Sequence, residues 1–244
     1  MQKAALSLSF SLFFLASAAG QEGFQIHAKF QFYHHDTLWF GKTTGKKAVP
    51  EFFALRNADD TYDLKNSDPL PSGMYAIILR RAPSAGFSYI QCWLADGQRN
   101  FSMELNANKP YENAKITGSP ENEIFYRYLT QFYTRDDRLD SLIEVWRFKQ
   151  DEPSWRNRVA AEEDFVRFQE DFIKSNPGTL SAGLVQQVMF TLPPVSSSKS
   201  DSWQQEADAR WQFQRQHRFD RTNLASDDFL RYPQWVDRTD FYLF

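Results

Sequence analysis

The chain carries one thiol, Cys92, and four histidines, so the side-chain chemistry open to it is narrow. Disulfide exchange needs an attacking thiolate and a resolving sulfur close by. Cys92 has no second cysteine to work with, and it shares the alternating phase of Ile90 and Leu94. That phase predicts burial as a small apolar residue rather than reactivity. His34-His35-Asp36 is the nearest approach to a metal cluster. Neighbouring residues of a strand face opposite ways and no third histidine is near, so a solvated turn is expected. His217, Asp220, Asp227 and Arg231 form the densest polar group of the C-terminal part. A histidine beside carboxylates can carry a proton, but no nucleophile or glycine-rich anion loop accompanies it. A structural role, holding the turn after a preceding helix, is expected instead. Glu162, Glu163, Asp164, Glu170 and Asp171 are interleaved with Arg156, Arg158 and Arg167, the composition of a solvated helix face with ion pairs. A glycosidase pair would require two such acids to flank a cleft. No catalytic, cofactor-binding or metal-ligating residue is assigned on these grounds, and no cofactor is expected.

The elements that must position these residues change character once along the chain. From Gly23 to Ile116 the pattern is one of strands. Phe24, Ile26, Ala28, Phe30 and Phe32 alternate with Gln25, His27, Lys29 and Gln31, which predicts a strand with one buried face. Further strands are expected at Thr37 to Lys42, Val49 to Leu55, Tyr62 to Leu64, Met74 to Arg80, Ser88 to Leu94, Asn100 to Leu105 and Ala114 to Ile116. Asp96-Gly97 between two alternating runs predicts a hairpin, and Pro50 predicts that its strand lies at an edge. Short strands at this spacing favour an antiparallel sandwich over an α/β sheet.

At Gly118 the period becomes helical. Ser119-Pro120-Glu121 is a helix start, with a capping hydroxyl, a proline tolerated in the first turn and an acid at the positive end of the dipole. Phe125, Leu129, Phe132, Leu139, Ile143 and Trp146 then follow at helical spacing. A second helix begins near Pro153 or Ser154, buries Trp155, Val159, Phe165, Phe168 and Phe172, and stops at the breaker Asn176-Pro177-Gly178. The two predict an antiparallel hairpin. Leu180 to Met189 predicts a short apolar helix and Trp203 to His217 another, with Ala207 and Trp211 inward. A loop is expected from Pro193-Pro194 through Ser200, and a capped turn at Ser226. The fold class is therefore α+β: an N-terminal antiparallel β-sandwich over residues 21–117, then a mostly α-helical domain with a helical hairpin over 118–244.

The first twenty residues set the address. Lys3, an apolar run from Ala4 to Leu15 and small residues up to Gly20 have the layout of a secretory signal peptide, too short for a span of about 20 residues. Cleavage is expected after Gly20 or Ala18, placing the protein in the periplasm or cell envelope with no transmembrane segment after processing. The net charge of −3 argues against nucleic acid as a partner. Aromatic residues make up 16% of the chain, and most are expected in the core, although such rings also serve as platforms for peptides or sugars. The stretch Trp235, Val236, Phe241, Tyr242, Leu243 and Phe244 is apolar where chains are usually polar and mobile. Either it docks on the helices or it leads into a further segment.

Three stretches carry a family resemblance: Pro69-Leu70-Pro71-Ser72-Gly73-Met74-Tyr75-Ala76-Ile77, Gly118-Ser119-Pro120-Glu121-Asn122, and His217-Arg218-Phe219-Asp220 with Ser226-Asp227-Asp228-Phe229-Leu230-Arg231-Tyr232-Pro233. Together they resemble the N-terminal region of Bacteroidota-type envelope proteins of the thioredoxin-like class. In that family a β-rich domain of unknown function precedes a helical domain of unknown function, often followed by a thioredoxin-like domain with Cys-x-x-Cys. This chain holds no Cys-x-x-Cys, so the resemblance implies the accessory part of that architecture without its redox activity. The expected function is a non-enzymatic interaction or scaffold module whose partner is a protein, either an envelope component or a second copy. A truncated or diverged thiol-disulfide oxidoreductase and a carbohydrate-binding module are the alternatives.

Overall fold

A computed structural model describes residues 23–44, 47–81, 86–193 and 202–223. The expected leader at 1–20, the expected loop beyond Pro193, the expected turn at Ser226 and the apolar stretch from Trp235 lie outside the described residues. Eight strands come first: β1 (Phe24–Gln31), β2 (Thr37–Thr44), β3 (Lys47–Leu55), β4 (Thr61–Asn66), β5 (Gly73–Arg80), β6 (Phe87–Leu94), β7 (Asn100–Asn106) and β8 (Lys115–Thr117). Four helices follow, α1 (Pro120–Lys149), α2 (Glu152–Ser175), α3 (Leu180–Val188) and α4 (Trp203–Gln216). The fold is α+β, as its pattern predicts.

The strands form two four-stranded sheets, in orders β4-β1-β7-β8 and β3-β2-β5-β6. Their facing sides supply the core. Phe24, Ile26, Ala28 and Phe30 of β1 meet Leu38 and Phe40 of β2 and Tyr75, Ile77 and Leu79 of β5 in one buried cluster. Each fully buried side chain of this kind contributes about 1.5–3 kcal/mol relative to exposure. β3 is an edge strand, and Pro50 sits in it opposite Gly41, where the β2–β3 register shifts by a bulge. A Cβ on Gly41 would lie 1.8 Å from the Val49 carbonyl oxygen, so only glycine lets the two strands approach there.

Three expectations are corrected. The sandwich is not purely antiparallel, because β1 pairs with β7 in parallel, Ile26 opposite Phe101. The Asp96-Gly97 turn exists, with Gly97 at φ 69°, but it does not close a hairpin. β6 pairs with β5 and β7 with β1 and β8, so the turn carries the chain from one sheet to the other. Buried Arg99 anchors that corner, donating to the Leu70 carbonyl at 2.7 Å and to Asp96 at 2.9 Å. Alternation also ends one residue pair early. Phe32 adopts φ 65° and is exposed, and Tyr33 takes the buried place beside Phe30.

Local chemistry sets the helix boundaries. Ser119 caps α1 and accepts from the Asn122 amide, Asp151 caps α2 and accepts from Ser154, and Thr179 caps α3 and accepts from Ala182. α1 and α2 form the hairpin. Tyr128 stacks on Phe168 with centroids 5.3 Å apart, and Phe132 meets Phe165 at 5.1 Å. The hairpin does not stand apart from the sheets: Phe125, Tyr126 and Leu184 belong to the same buried cluster as β1, β5 and β6. Asn122 makes the junction specific. Its side-chain carbonyl accepts from the Trp93 amide at 2.8 Å and its amide donates to the Trp93 carbonyl at 2.9 Å, so α1 closes the free edge of β6 much as another strand would. Among the described residues, no helix is long and apolar enough to cross a membrane.

Candidate functional site

Each residue singled out for its chemistry has a defined place. Cys92 points into the core and is fully buried. Burial pushes its thiol up to about 12, which leaves essentially no thiolate at neutral pH. His34, His35 and Asp36 are exposed in the connection between β1 and β2. Among the described residues no group of three or more metal-ligating side chains is gathered. His217 terminates α4: its backbone amide donates to the Phe213 carbonyl, its ring stacks on Phe213 at 4.1 Å and its Nδ1 meets Asp220 at 2.6 Å. These contacts hold the turn after α4. Asp227 and Arg231, grouped with them in the sequence, lie outside the described residues.

The acidic run of α2 is the main departure. Asp164 with Arg167 and Asp171 with Lys174 are surface pairs within the helix, as expected. Glu162 is not on the solvated face. It is buried against α4, accepting from Arg210 Nε at 3.0 Å and from the Gln214 side chain. Glu163 reaches Arg210 and Arg156 reaches Glu206, so these partly exposed charges also fasten α4 to α2. Trp211, expected inward, is nearly half exposed, whereas the Arg210 side chain beside it is nine-tenths buried.

One polar constellation went unnoticed in the sequence. On the outer side of the β4-β1-β7-β8 sheet, Asp63, His27 and Ser102 fall side by side across three strands. His27 Nδ1 meets Asp63 Oδ1 at 2.8 Å, and Asn57 donates to the other carboxylate oxygen at 3.0 Å. The His27 and Asn57 contacts hold the Asp63 carboxyl below its ordinary value. The row has the residue types of a hydrolase triad but not its setting. His27 and Asp63 are roughly half-exposed, and no hydrogen bond joins Ser102 to His27 among the described residues. The neighbouring strand amides that an oxyanion would need are engaged in the ladder.

The two outer faces of the sandwich differ in kind. The face around His27 carries Lys29, Asp63, Lys65, Glu104 and Lys115, an ordinary wetted surface. The face of the β3-β2-β5-β6 sheet carries aromatic rings. Phe53, Trp39, Ile78 and Tyr89 lie in one cross-strand row, and Leu55 and Phe87 flank it. Trp39 and Phe53 rings stand 5.4 Å apart. Trp39, Phe53, Leu55, Phe87 and Tyr89 are each between 36% and 63% exposed. At about 200 Å² per large side chain this amounts to roughly 500 Å² of exposed apolar surface, near the largest patch that a typical monomer tolerates. No known protein family, curated protein or solved structure matches the chain. The functional reading therefore rests on these residues. Trp39, Phe53 and Tyr89 come from three strands, and each is an unremarkable strand residue on its own. The signal available in the sequence was Phe52-Phe53, two adjacent rings in a strand at an edge, of which only one can face inward.

Proposed function

We propose that the chain is a non-catalytic binding module of the cell envelope that docks a protein partner on the aromatic strip of the β3-β2-β5-β6 sheet. The strip carries this reading. Aromatic side chains are enriched in protein interfaces because they bury a large area at little rotamer cost. A sandwich has no internal need to leave four such rings and Leu55 on one outer face while keeping the opposite face polar. The burial of Cys92, with its thiol held almost wholly protonated, supports assigning it to packing rather than redox work. The leader layout of residues 1–20 and the resemblance to the accessory region of thioredoxin-like envelope proteins supply the setting of the proposal.

The test compares the mature chain with its Trp39→Ser, Phe53→Ser double variant, by capture from envelope extract and by light scattering for self-association. The expected outcome is that the wild type retains a partner, or pairs with itself, and that the variant loses it with an unchanged melting temperature. Equal recovery by both proteins would remove the strip from the reading. Turnover of a disulfide or an ester well above the buffer rate would remove the non-catalytic assignment. Quenching of tryptophan fluorescence by glycans, abolished by Trp39→Ser, would move the strip to carbohydrate binding.

A further inference from the structure

Away from the sheets, α1, α2 and α4 surround a cleft of about 470 Å³, within the range of small-molecule sites. Trp146, Trp155, Phe190 and Trp211 form its walls. Its charge is one-sided: Arg147, Arg158, Arg210 and Arg218 line it against Glu162 and Asp208. Arg147 is paired on the rim with Glu144 at 2.6 Å, and Glu162 is engaged by Arg210 and Gln214. Arg158 forms no ion pair among the described residues. Its guanidinium lies 4.8 Å from the Trp146 ring centroid. Arg158 Nε, Trp146 Nε1 and Arg210 Nη2 are buried donors without an acceptor, gathered at one cleft, and Arg210 is nine-tenths buried. Native folds rarely leave such donors unmet. Desolvation also pushes Arg158 below the usual guanidinium value, a mark of a cation held partly out of water.

We propose that this cleft binds an apolar organic acid, its hydrocarbon body seated among the tryptophans and its anionic head against Arg158. A bare inorganic anion would gain nothing from the aromatic walls, and a neutral apolar ligand would leave the Arg158 charge uncompensated and desolvated. The site is separate from the aromatic strip on the sheet and shares no residue with it, so either assignment stands or falls alone.

The probe is 8-anilinonaphthalene-1-sulfonate, titrated into the full mature chain by fluorescence, with N-phenyl-1-naphthylamine as the same body lacking the sulfonate. One saturable site for the anion is expected. Arg158→Gln should weaken it by about tenfold, as loss of a partly buried charge-assisted contact does, while the neutral probe binds both proteins alike. Arg158→Lys should recover most of the affinity, which separates loss of charge from loss of folding. The Trp39→Ser, Phe53→Ser variant should keep the site. Unchanged anion affinity in Arg158→Gln, equal loss of both probes, or loss of the site in the sheet variant would overturn the proposal. So would the absence of any saturable site, the result expected if the chain's own residues 224–244 occupy the cleft.

Discussion

At the scale of single residues, titration and burial work against each other at Asp136. This carboxyl on α1 is half-buried and is pushed up to about 6, first by desolvation and then by the nearby charges of Asp140 and Asp137. A carboxyl whose folded value exceeds the ordinary one near 4 holds a proton in the fold that the unfolded chain has already released. Stability therefore falls as pH rises from about 4 to about 6, and the full penalty is in place above that window. Asp136→Asn removes the penalty without changing the shape of the side chain. The full shift would correspond to about 3 kcal/mol. Because half the group is in water, about 1 kcal/mol is the expected gain at pH 7.5. That corresponds to a rise of about 2–4 °C in melting temperature, with no change at pH 3.5. An equal rise at both pH values, or none at pH 7.5, would assign the effect to something other than this charge.

At the scale of elements, the contact between α1 and β6 decides whether the helices belong to the sandwich. Asn122 supplies a donor and an acceptor to Trp93 and also donates to Ser119 at 2.8 Å, all in a buried position. Asn122→Ala removes these bonds where water does not reach, and the expected cost is about 2–4 kcal/mol. Urea unfolding should show it as a lowered midpoint with an unchanged slope. A loss under 1 kcal/mol would mean that the apolar contacts of Phe125 and Tyr126 suffice to hold the edge. The elements themselves were legible in the sequence because their signals are local. Alternation from Phe24 to Phe30 marks β1, Ser119-Pro120 marks the start of α1, and Asn176-Pro177-Gly178 ends α2. Pairing is not local, and there the sequence is silent. Nothing near Ile26 says that it lies beside Phe101, and nothing near Gly97 says that the strands on either side join different sheets. The same holds for the candidate sites. Trp39, Phe53 and Tyr89 form a row only through strand register, and helical period placed Glu162 on a wet face because its partner Arg210 lies on another helix.

At the scale of the molecule, the chain changes from strands to helices at Gly118, but its apolar core does not stop there. Phe125, Tyr126 and Leu184 pack in one cluster with the sheets. Glu121 adds a polar tie, its buried carboxylate accepting from the amides of Leu180 and Ser181 at 3.1 and 2.8 Å and from the Ser181 hydroxyl. A carboxylate held by the amides of a helix N-terminus is a favourable arrangement of charge and dipole, and here it links the first turn of α1 to the first turn of α3. Sheets joined to helices in this way should unfold together. Two independent reporters exist within the chain: circular dichroism at 222 nm follows the helices, and the modification rate of Cys92 follows the sandwich core. In graded urea the thiol should stay unreactive until the helical signal is lost, with both transitions sharing one midpoint. If the helices melt while Cys92 remains protected, the sandwich stands alone and the shared cluster contributes little. A Glu121→Gln variant sharpens the comparison. It removes the charge from the α3 tie while leaving the sheet contacts intact, so a cooperative molecule shifts both midpoints down together, whereas two autonomous domains shift only the helical one.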